Sequence, residues 1–167
     1  MGENRKKTKE ARLRVVIDTS VLIPALLSSK GHAFEVLELL FEGKIINYYS
    51  TSTKAEYYEV ISYPKLIKKI PFEVSKKRVD VVLFHSKRVQ IKRSFKESKT
   101  LFEKVRDPED ISFLDVVYNA KADVLITYDR RHLLRIRDKE KKFKLEGHEF
   151  YILTPKEFIE FYKKKRS

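Results

Sequence analysis

The sequence contains no cysteine, only four glycines and no long run of apolar residues. The absence of cysteine excludes disulfide bonds and metal sites built from thiolates. With so few glycines, the chain has no glycine-rich loop of the P-loop type that could hold a nucleotide phosphate. No apolar run is long enough to span a membrane, and residues 1–12 lack the hydrophobic segment of a secretion signal. We therefore expect a soluble, cytoplasmic protein.

Acidic residues are outnumbered, since 37 lysines and arginines against 24 aspartates and glutamates give a net charge of +13 and a pI near 9.7. Such an excess favours a polyanionic partner, either nucleic acid or an acidic membrane surface. The alternative is a solvated lysine–glutamate surface of the kind found in thermophile proteins. Basic residues concentrate near both ends. We predict a flexible basic tail at 1–12, a single domain at 13–162 and a basic tail at 163–167.

Short β-branched runs alternate with amphipathic segments along the chain. This alternation predicts a three-layer α/β/α sandwich around a central, mostly parallel, twisted sheet of four or five strands. The predicted strands span 15–17, 44–50, 89–91, 123–129 and 149–154. The predicted helices span 21–27, 33–41, 51–62, 65–69, 72–85, 107–122 and 130–136, followed by a last helix after Thr154. Thr154 is expected to cap this last helix, with Glu157 closing a capping box.

Two of the predicted strands end in an aspartate. "RVVIDTS" places Asp18 directly after the first strand, and "VLITYD" places Asp129 at the end of a later one. Because parallel strands end at the same edge of a sheet, both carboxylates are expected at the edge where ligands bind in open α/β folds. One such aspartate is commonly a turn or cap residue, but two at one edge favour a functional role. Thr19 or Ser20 is expected to cap the helix that follows Asp18.

The segment "DPEDISFLDVV" places three aspartates on one predicted helix. Asp107 suits the N-cap, with proline at the next position. Asp110 shares a face with Phe113 and Leu114, so its carboxylate is expected to point inward from the first turn. Asp115 lies about 140° away around the helix axis and is expected to face solvent. We interpret Asp110 as functional and Asp107 as mainly structural.

Glu56 offers a fourth carboxylate, in the first turn of the helix predicted at 51–62. It borders the apolar side of that helix and follows a strand, so it is expected near the same edge as Asp18. An ordinary glutamate on a helix surface is an alternative that the sequence leaves open.

Four converging carboxylates would repel one another and any phosphate substrate. Hard divalent cations remove both problems, because Mg²⁺ and Mn²⁺ prefer carboxylate and water ligands. The four histidines are scattered without the spacing of a zinc site. An acidic pocket on a basic protein suits a metal-dependent nuclease, in which lysines and arginines hold the polyanion.

With these motifs in place, the sequence resembles the PIN domain family. The likeness lies in "VVIDTSVLIPALL", "STSTKAEYYEVISYPKL" and "DPEDISFLDVVYNAKADVLITYD", and it extends from about Arg14 to Tyr162. It is greatest with the prokaryotic branch labelled as toxins of toxin–antitoxin systems. The resemblance makes residues 13–162 a single PIN-like domain.

The resemblance implies a Mg²⁺- or Mn²⁺-dependent endoribonuclease acting on RNA. It also implies a role for each residue of this chain that matches the family pattern. The family's catalytic and metal-binding acids fall on Asp18, Glu56, Asp110 and Asp129, and its supporting positions fall on Thr19 or Ser20, Thr127 and Asp107. Tyr128 departs from the pattern, which commonly has a small residue there. As partners we expect RNA, a small antitoxin protein and a second copy of the chain in a homodimer, and no membrane.

Two other functions compete with a metal-dependent ribonuclease. Haloacid-dehalogenase phosphatases also begin with a strand ending in aspartate, but they need a second aspartate two residues on, where this chain has Ser20. A non-catalytic RNA- or protein-binding PIN-like domain is the stronger rival, although a binder gains nothing from the repulsion among four acids. A small antitoxin gene beside this one would distinguish a toxin from a ribosomal-RNA processing or RNA-decay enzyme.

Overall fold

The computed structural model describes residues 12–166. Within that range the chain forms eight α-helices, one short 3₁₀-helix and six strands. The helices are α1 Thr19–Leu27, α2 His32–Phe41, α3 Thr51–Ile61, α4 Pro64–Ile67, α5 Phe72–Phe84, α6 Lys99–Val105, α7 Pro108–Ala120 and α8 Pro155–Arg166. The strands are β1 Leu13–Ile17, β2 Ile45–Tyr49, β3 Lys87–Arg88, β4 Val124–Ile126, β5 Lys142–Leu145 and β6 His148–Leu153.

The strands form one sheet in the order β3-β2-β1-β4-β6-β5. All neighbours are parallel except β5 and β6, which form an antiparallel hairpin. The α/β fold with a mostly parallel sheet confirms the predicted fold class. The predicted count of four or five strands was too low, because β5 and its hairpin were missed.

The centre of the sheet is fully buried. Val15, Val16 and Ile17 of β1 and all three residues of β4 have no solvent exposure. A strand buried on both faces has no polar side to alternate with, which explains the continuous apolar runs in the sequence. Helices supply the covering layers, with α2 packed against α8 and α3 packed against α5 and α7.

The segment between α5 and α7 departs most from prediction. A strand was expected at 89–91, but the structure has a two-residue strand, Lys87–Arg88, and then α6 at Lys99–Val105. The helix predicted at 130–136 is also wrong, since only Leu134–Ile136 is helical there and its geometry is 3₁₀. Both segments make hydrogen bonds to residues that are distant in the sequence. Local hydrophobic periodicity does not predict such contacts.

The two ends of the described range bear on the predicted tails. Residues 163–166 form the last turn of α8, whose first turn has the predicted capping box between Thr154 and Glu157. The predicted N-terminal tail lies outside the described residues except for Arg12. None of the described helices combines the length and the apolar character needed to cross a bilayer.

Candidate active site

Asp18 lies where β1 ends, beside the end of its parallel neighbour β4. Its backbone N–H donates to the Ile126 carbonyl at 3.0 Å, so the two strand ends stay in register. The carboxylate Oδ2 accepts hydrogen bonds from the hydroxyls of Ser20 at 2.6 Å and Thr127 at 2.8 Å. Asp18 is only 4% exposed, and this burial is the main cause of a raised pKa.

The helix cap expected after Asp18 was assigned to the wrong residue. Asp18 itself occupies the N-cap position of α1, without a side-chain capping bond, and Thr19 and Ser20 are the first helical residues. Their hydroxyls bond to Glu56 and Asp18 instead. Both residues therefore orient acids of the site.

Asp129 is held by the turn that follows β4. Its N–H donates to the Thr127 hydroxyl at 2.9 Å, and its Oδ1 accepts from the N–H groups of Arg131 and His132, both at 3.1 Å. Thr127 therefore contacts both strand-end aspartates, since its own hydroxyl donates to Asp18. The predicted meeting of two carboxylates at one sheet edge agrees with this geometry.

Asp110 lies in the first turn of α7 and points inward, as its helix phase predicted. It is 8% exposed. Burial raises its pKa to about 9, and the charges of Asp18 and Asp129 add to the increase. Its Oδ2 atom is buried and has no hydrogen-bond partner among residues 12–166.

Asp107 forms the predicted N-cap of α7, because its Oδ1 accepts from the Glu109 N–H at 2.9 Å. The residue is half-buried. A cap uses one carboxylate oxygen, so the structural role leaves the other oxygen available for a ligand.

Glu56 belongs to the same electrostatic cluster. It accepts a hydrogen bond from Thr19, the residue that follows Asp18. Burial raises its pKa to about 8, with further contributions from the charges of Glu109 and Asp18. An isolated glutamate on a helix surface would feel neither the burial nor these neighbours.

His132 is a component of the site that sequence reasoning missed. Its Nδ1 lies 3.2 Å from Asp110 Oδ2 and 3.5 Å from Asp129 Oδ2. The Asp110 distance is that of an ion pair, but its geometry is not that of a hydrogen bond, since Oδ2 has no such partner. The available signal in the sequence was the spacing of His132 three residues after Asp129, which is not the spacing of a zinc site.

The structure also contradicts the solvent-facing position predicted for Asp115. This residue is 2% exposed, and its carboxylate accepts from the Ser94 hydroxyl and the Phe95 N–H, both at 2.7 Å. The segment before α6 covers the outer side of α7, and Asn119 holds it further by accepting from the Lys92 N–H. Helix phase was correct, but the face opposite Asp110 is also buried.

The raised pKa values predict how the metal-free protein responds to pH. Asp110 and Glu56 titrate near 4 when unfolded but at about 9 and 8 when folded, so between these limits the folded state binds more protons. The free energy of unfolding in EDTA should therefore fall as pH rises from about 5.5 to 8, by about 1 kcal/mol per pH unit after solvent screening. Urea denaturation at several pH values measures this slope. It should be shallower in Asp110→Asn, and an equal slope in both proteins would contradict the assignment.

The residues of this edge fit a divalent cation. The carboxyl of Asp110 interacts electrostatically with those of Asp18 and Asp129, and its buried Oδ2 atom has no hydrogen-bond partner in the described part of the chain, which is rare in folded proteins. In the part of the chain that the structure describes, the ligand atoms that come within 4.8 Å of one another belong to Asp107, Asp110 and His132. This set overlaps the four predicted acids only at Asp110. The assignment of metal ligands to Asp18, Glu56, Asp110 and Asp129 therefore stays a prediction.

Comparison with known proteins gives the family. MJ1680, an uncharacterized protein of Methanocaldococcus jannaschii, is 36% identical over 159 residues, which cover 95% of this chain and 97% of that protein. Among solved structures, PAE2754 from Pyrobaculum aerophilum has a TM-score of 0.60 at 13% identity and covers 91% of this chain and 90% of its own, which supports the fold alone.

A third similar protein is VapC20 of Mycobacterium tuberculosis, a toxin that cleaves the sarcin–ricin loop. It has a TM-score of 0.47 at 13% identity and covers 70% of this chain and 91% of its own. The strongest result is a match of residues 14–131 to the model of the PIN domain. That span includes Asp18, Glu56, Asp107, Asp110 and Asp129, and the chain thus belongs to the PIN domain family, whose members are generally nucleases.

Proposed function

We propose that the protein is a ribonuclease that uses Mg²⁺ or Mn²⁺ to hydrolyse phosphodiester bonds of RNA. The observation that carries this proposal is the buried carboxylate cluster, in which Asp110 has an oxygen without a hydrogen-bond partner and a pKa raised to about 9. Maintaining such a cluster is costly for a protein that only binds RNA. This cost disfavours the non-catalytic alternative.

The residues of the cluster would have different roles in this reaction. Asp18, Asp110 and Asp129 would hold the cation, and Glu56, which accepts a hydrogen bond from Thr19, has a raised pKa that suits proton transfer near neutral pH. When bound, the metal lowers the pKa of a coordinated water and stabilises charge on the leaving oxygen. Ser20 and Thr127 fix the orientation of Asp18, and Thr19 fixes that of Glu56.

A cleavage assay tests the proposal directly. RNA and single-stranded DNA of the same sequence are incubated with the protein in Mg²⁺, Mn²⁺ or EDTA, and products are resolved by gel. We expect cleavage of RNA only, and only with metal present. Asp110→Asn protein purified in parallel controls for contaminating ribonuclease. Cleavage that persists undiminished in EDTA would overturn the metal-dependent mechanism.

The basic surface next to the site should hold RNA through its phosphates. Arg130 and Arg131 are exposed and follow Asp129 directly, and neither side chain has an ion-pair partner in an acidic residue within 12–166. Replacing both with glutamine should weaken RNA binding and reduce the slope of log affinity against log salt by about 0.7 per arginine. Fluorescence anisotropy in an Asp110→Asn background measures the slope without cleavage.

Lys144→Gln is the matched control for these arginines, because Lys144 is exposed and lies on β5, opposite Glu149 in the hairpin register and away from the acidic edge of the sheet. It should leave the slope unchanged. Equal slopes for the double arginine variant and the control would mean that RNA does not pass this edge. The toxin role, the antitoxin partner, the homodimer and the cytoplasmic location stay predictions.

A further inference from the structure

Three ligand atoms lie within 4.8 Å of one another beside the acidic site: one carboxylate oxygen each from Asp107 and Asp110, and one ring nitrogen from His132. We propose that these three residues form a second cation position beside the four-acid site, and that it takes a first-row transition ion in preference to Mg²⁺. This second position rests on the proposed function, because Asp110 is a ligand of the four-acid site as well.

The backbone fixes all three ligands before any ion binds. Asp107 is the N-cap of α7, and Asp110 is in the first turn of the same helix, so both side chains start from one rigid element. His132 comes from the turn after β4, where its own N–H is bonded to Asp129. Its ring is half-buried, with 30% of the side chain exposed, so solvent ions can reach it. Little ordering remains to be done on binding.

The unpartnered oxygen of Asp110 points to a ligand at this position. Asp110 is more than nine-tenths buried, and its Oδ2 lies 3.2 Å from His132 Nδ1 without forming a hydrogen bond. Buried carboxylate oxygens are almost always satisfied by a donor, a water or an ion. An ion contacted by Oδ2 and Nδ1 together would satisfy this oxygen.

The donor set decides which ion is preferred. Mg²⁺ prefers oxygen ligands and keeps most of its waters, so an imidazole contributes little to its binding. Imidazole nitrogen favours first-row transition ions, whose affinity rises from Mn²⁺ through Co²⁺. Two carboxylates and one imidazole therefore select Co²⁺ or Mn²⁺ over Mg²⁺, whereas the neighbouring all-oxygen site does not.

The competing explanation is that His132 is only a positive counter-charge for Asp110 and Asp129. Its removal would then lower the stability of the metal-free protein and leave metal affinity unchanged or higher. The two explanations predict opposite effects on metal binding, which allows one experiment to separate them.

The experiment is a calorimetric titration of the full chain with Co²⁺ in the presence of excess Mg²⁺, which occupies the oxygen site. We expect one Co²⁺ to bind to the wild type despite the Mg²⁺. His132→Gln should weaken this binding by about tenfold or more. Asp107→Asn should also weaken it while preserving the helix cap, because asparagine caps as well as aspartate does. The visible absorption of bound Co²⁺ should change in His132→Gln, since the spectrum reports loss of a nitrogen ligand.

His32→Gln is the control, since His32 is exposed at the start of α2 and forms an ion pair with Glu35, far in the sequence from the three proposed ligands. It should bind Co²⁺ as the wild type does. Unchanged Co²⁺ affinity in His132→Gln, or complete displacement of Co²⁺ by Mg²⁺ in the wild type, would overturn the inference. Cleavage of RNA by the wild type in Mg²⁺ alone tests the proposed function separately, so failure of one is distinguishable from failure of the other.

Discussion

Asp110→Asn should lower the rate of RNA cleavage in Mg²⁺ by about a thousandfold, which corresponds to the loss of about 4 kcal/mol of metal-derived stabilisation of the transition state. Asparagine keeps the shape of the side chain but removes the charge that binds the cation. The same change should stabilise the metal-free protein by on the order of 1 kcal/mol near neutral pH, because folding then no longer has to protonate the carboxyl of Asp110 and bury it beside Asp18 and Asp129. Cleavage kinetics and thermal melting in EDTA measure both effects.

The matched control for Asp110→Asn is Glu149→Gln, another isosteric loss of one acid. Glu149 is exposed on β6 at the opposite edge of the sheet. It should cleave RNA at the wild-type rate. Added Mn²⁺ should raise the melting temperature of the wild type and of this control, and much less that of Asp110→Asn, because only a folded site binds the ion. Normal cleavage by Asp110→Asn would remove Asp110 from the active site.

Asp115→Ala should have the opposite effect on stability, with a loss of about 2–4 kcal/mol in the free energy of unfolding. Its carboxylate accepts two bonds of 2.7 Å, and truncation leaves the buried Phe95 N–H without an acceptor. The segment that covers α7 should then loosen. Urea denaturation measures the stability, and hydrogen exchange at the Phe95 amide measures the local loosening.

Ser94→Ala separates the two bonds of Asp115, because it removes the hydroxyl donor and leaves the Phe95 N–H bond in place. It should cost about 1 kcal/mol, clearly less than Asp115→Ala. A cost near zero for Asp115→Ala would show that Asp115 is exposed in solution, as the sequence alone suggested. The two aspartates of α7 thus differ in kind, since one is satisfied by the fold and the other is not.

Most of the fold followed from local patterns. The continuous apolar runs of β1 and β4 marked the centre of the sheet, and the capping box of α8 marked its start. The hairpin of β5 and β6 also had a local signal that was passed over. Glu146 and Gly147 have positive φ angles of 44° and 86°, and the glycine at the second of these positions, between residues that alternate in character, was the available sign of a two-residue turn.

The site was less predictable, because it depends on contacts between distant residues. Helix phase correctly placed Asp110 inward, but it cannot show that residues before α6 fold over Asp115. His132 looked like a scattered histidine, since its contact with Asp110 joins the turn after β4 to α7. The periodicity of a helix or strand predicts the direction in which each of its side chains points. It does not predict which residues from distant parts of the sequence pack against that side chain.

The chain order of the sheet has a consequence for synthesis of the protein. β1 is made first, but its neighbour β4 comes much later, and Thr127 bonds to Asp18 across 109 positions of sequence. Contacts of such separation form only when the later partner has left the ribosome. A nascent chain that ends before β4 holds Asp18 and Glu56 but neither Thr127 nor Asp129. An unfinished copy therefore has no complete acid cluster, so the RNA cleavage proposed above is expected only from a chain that has been synthesised beyond Asp129.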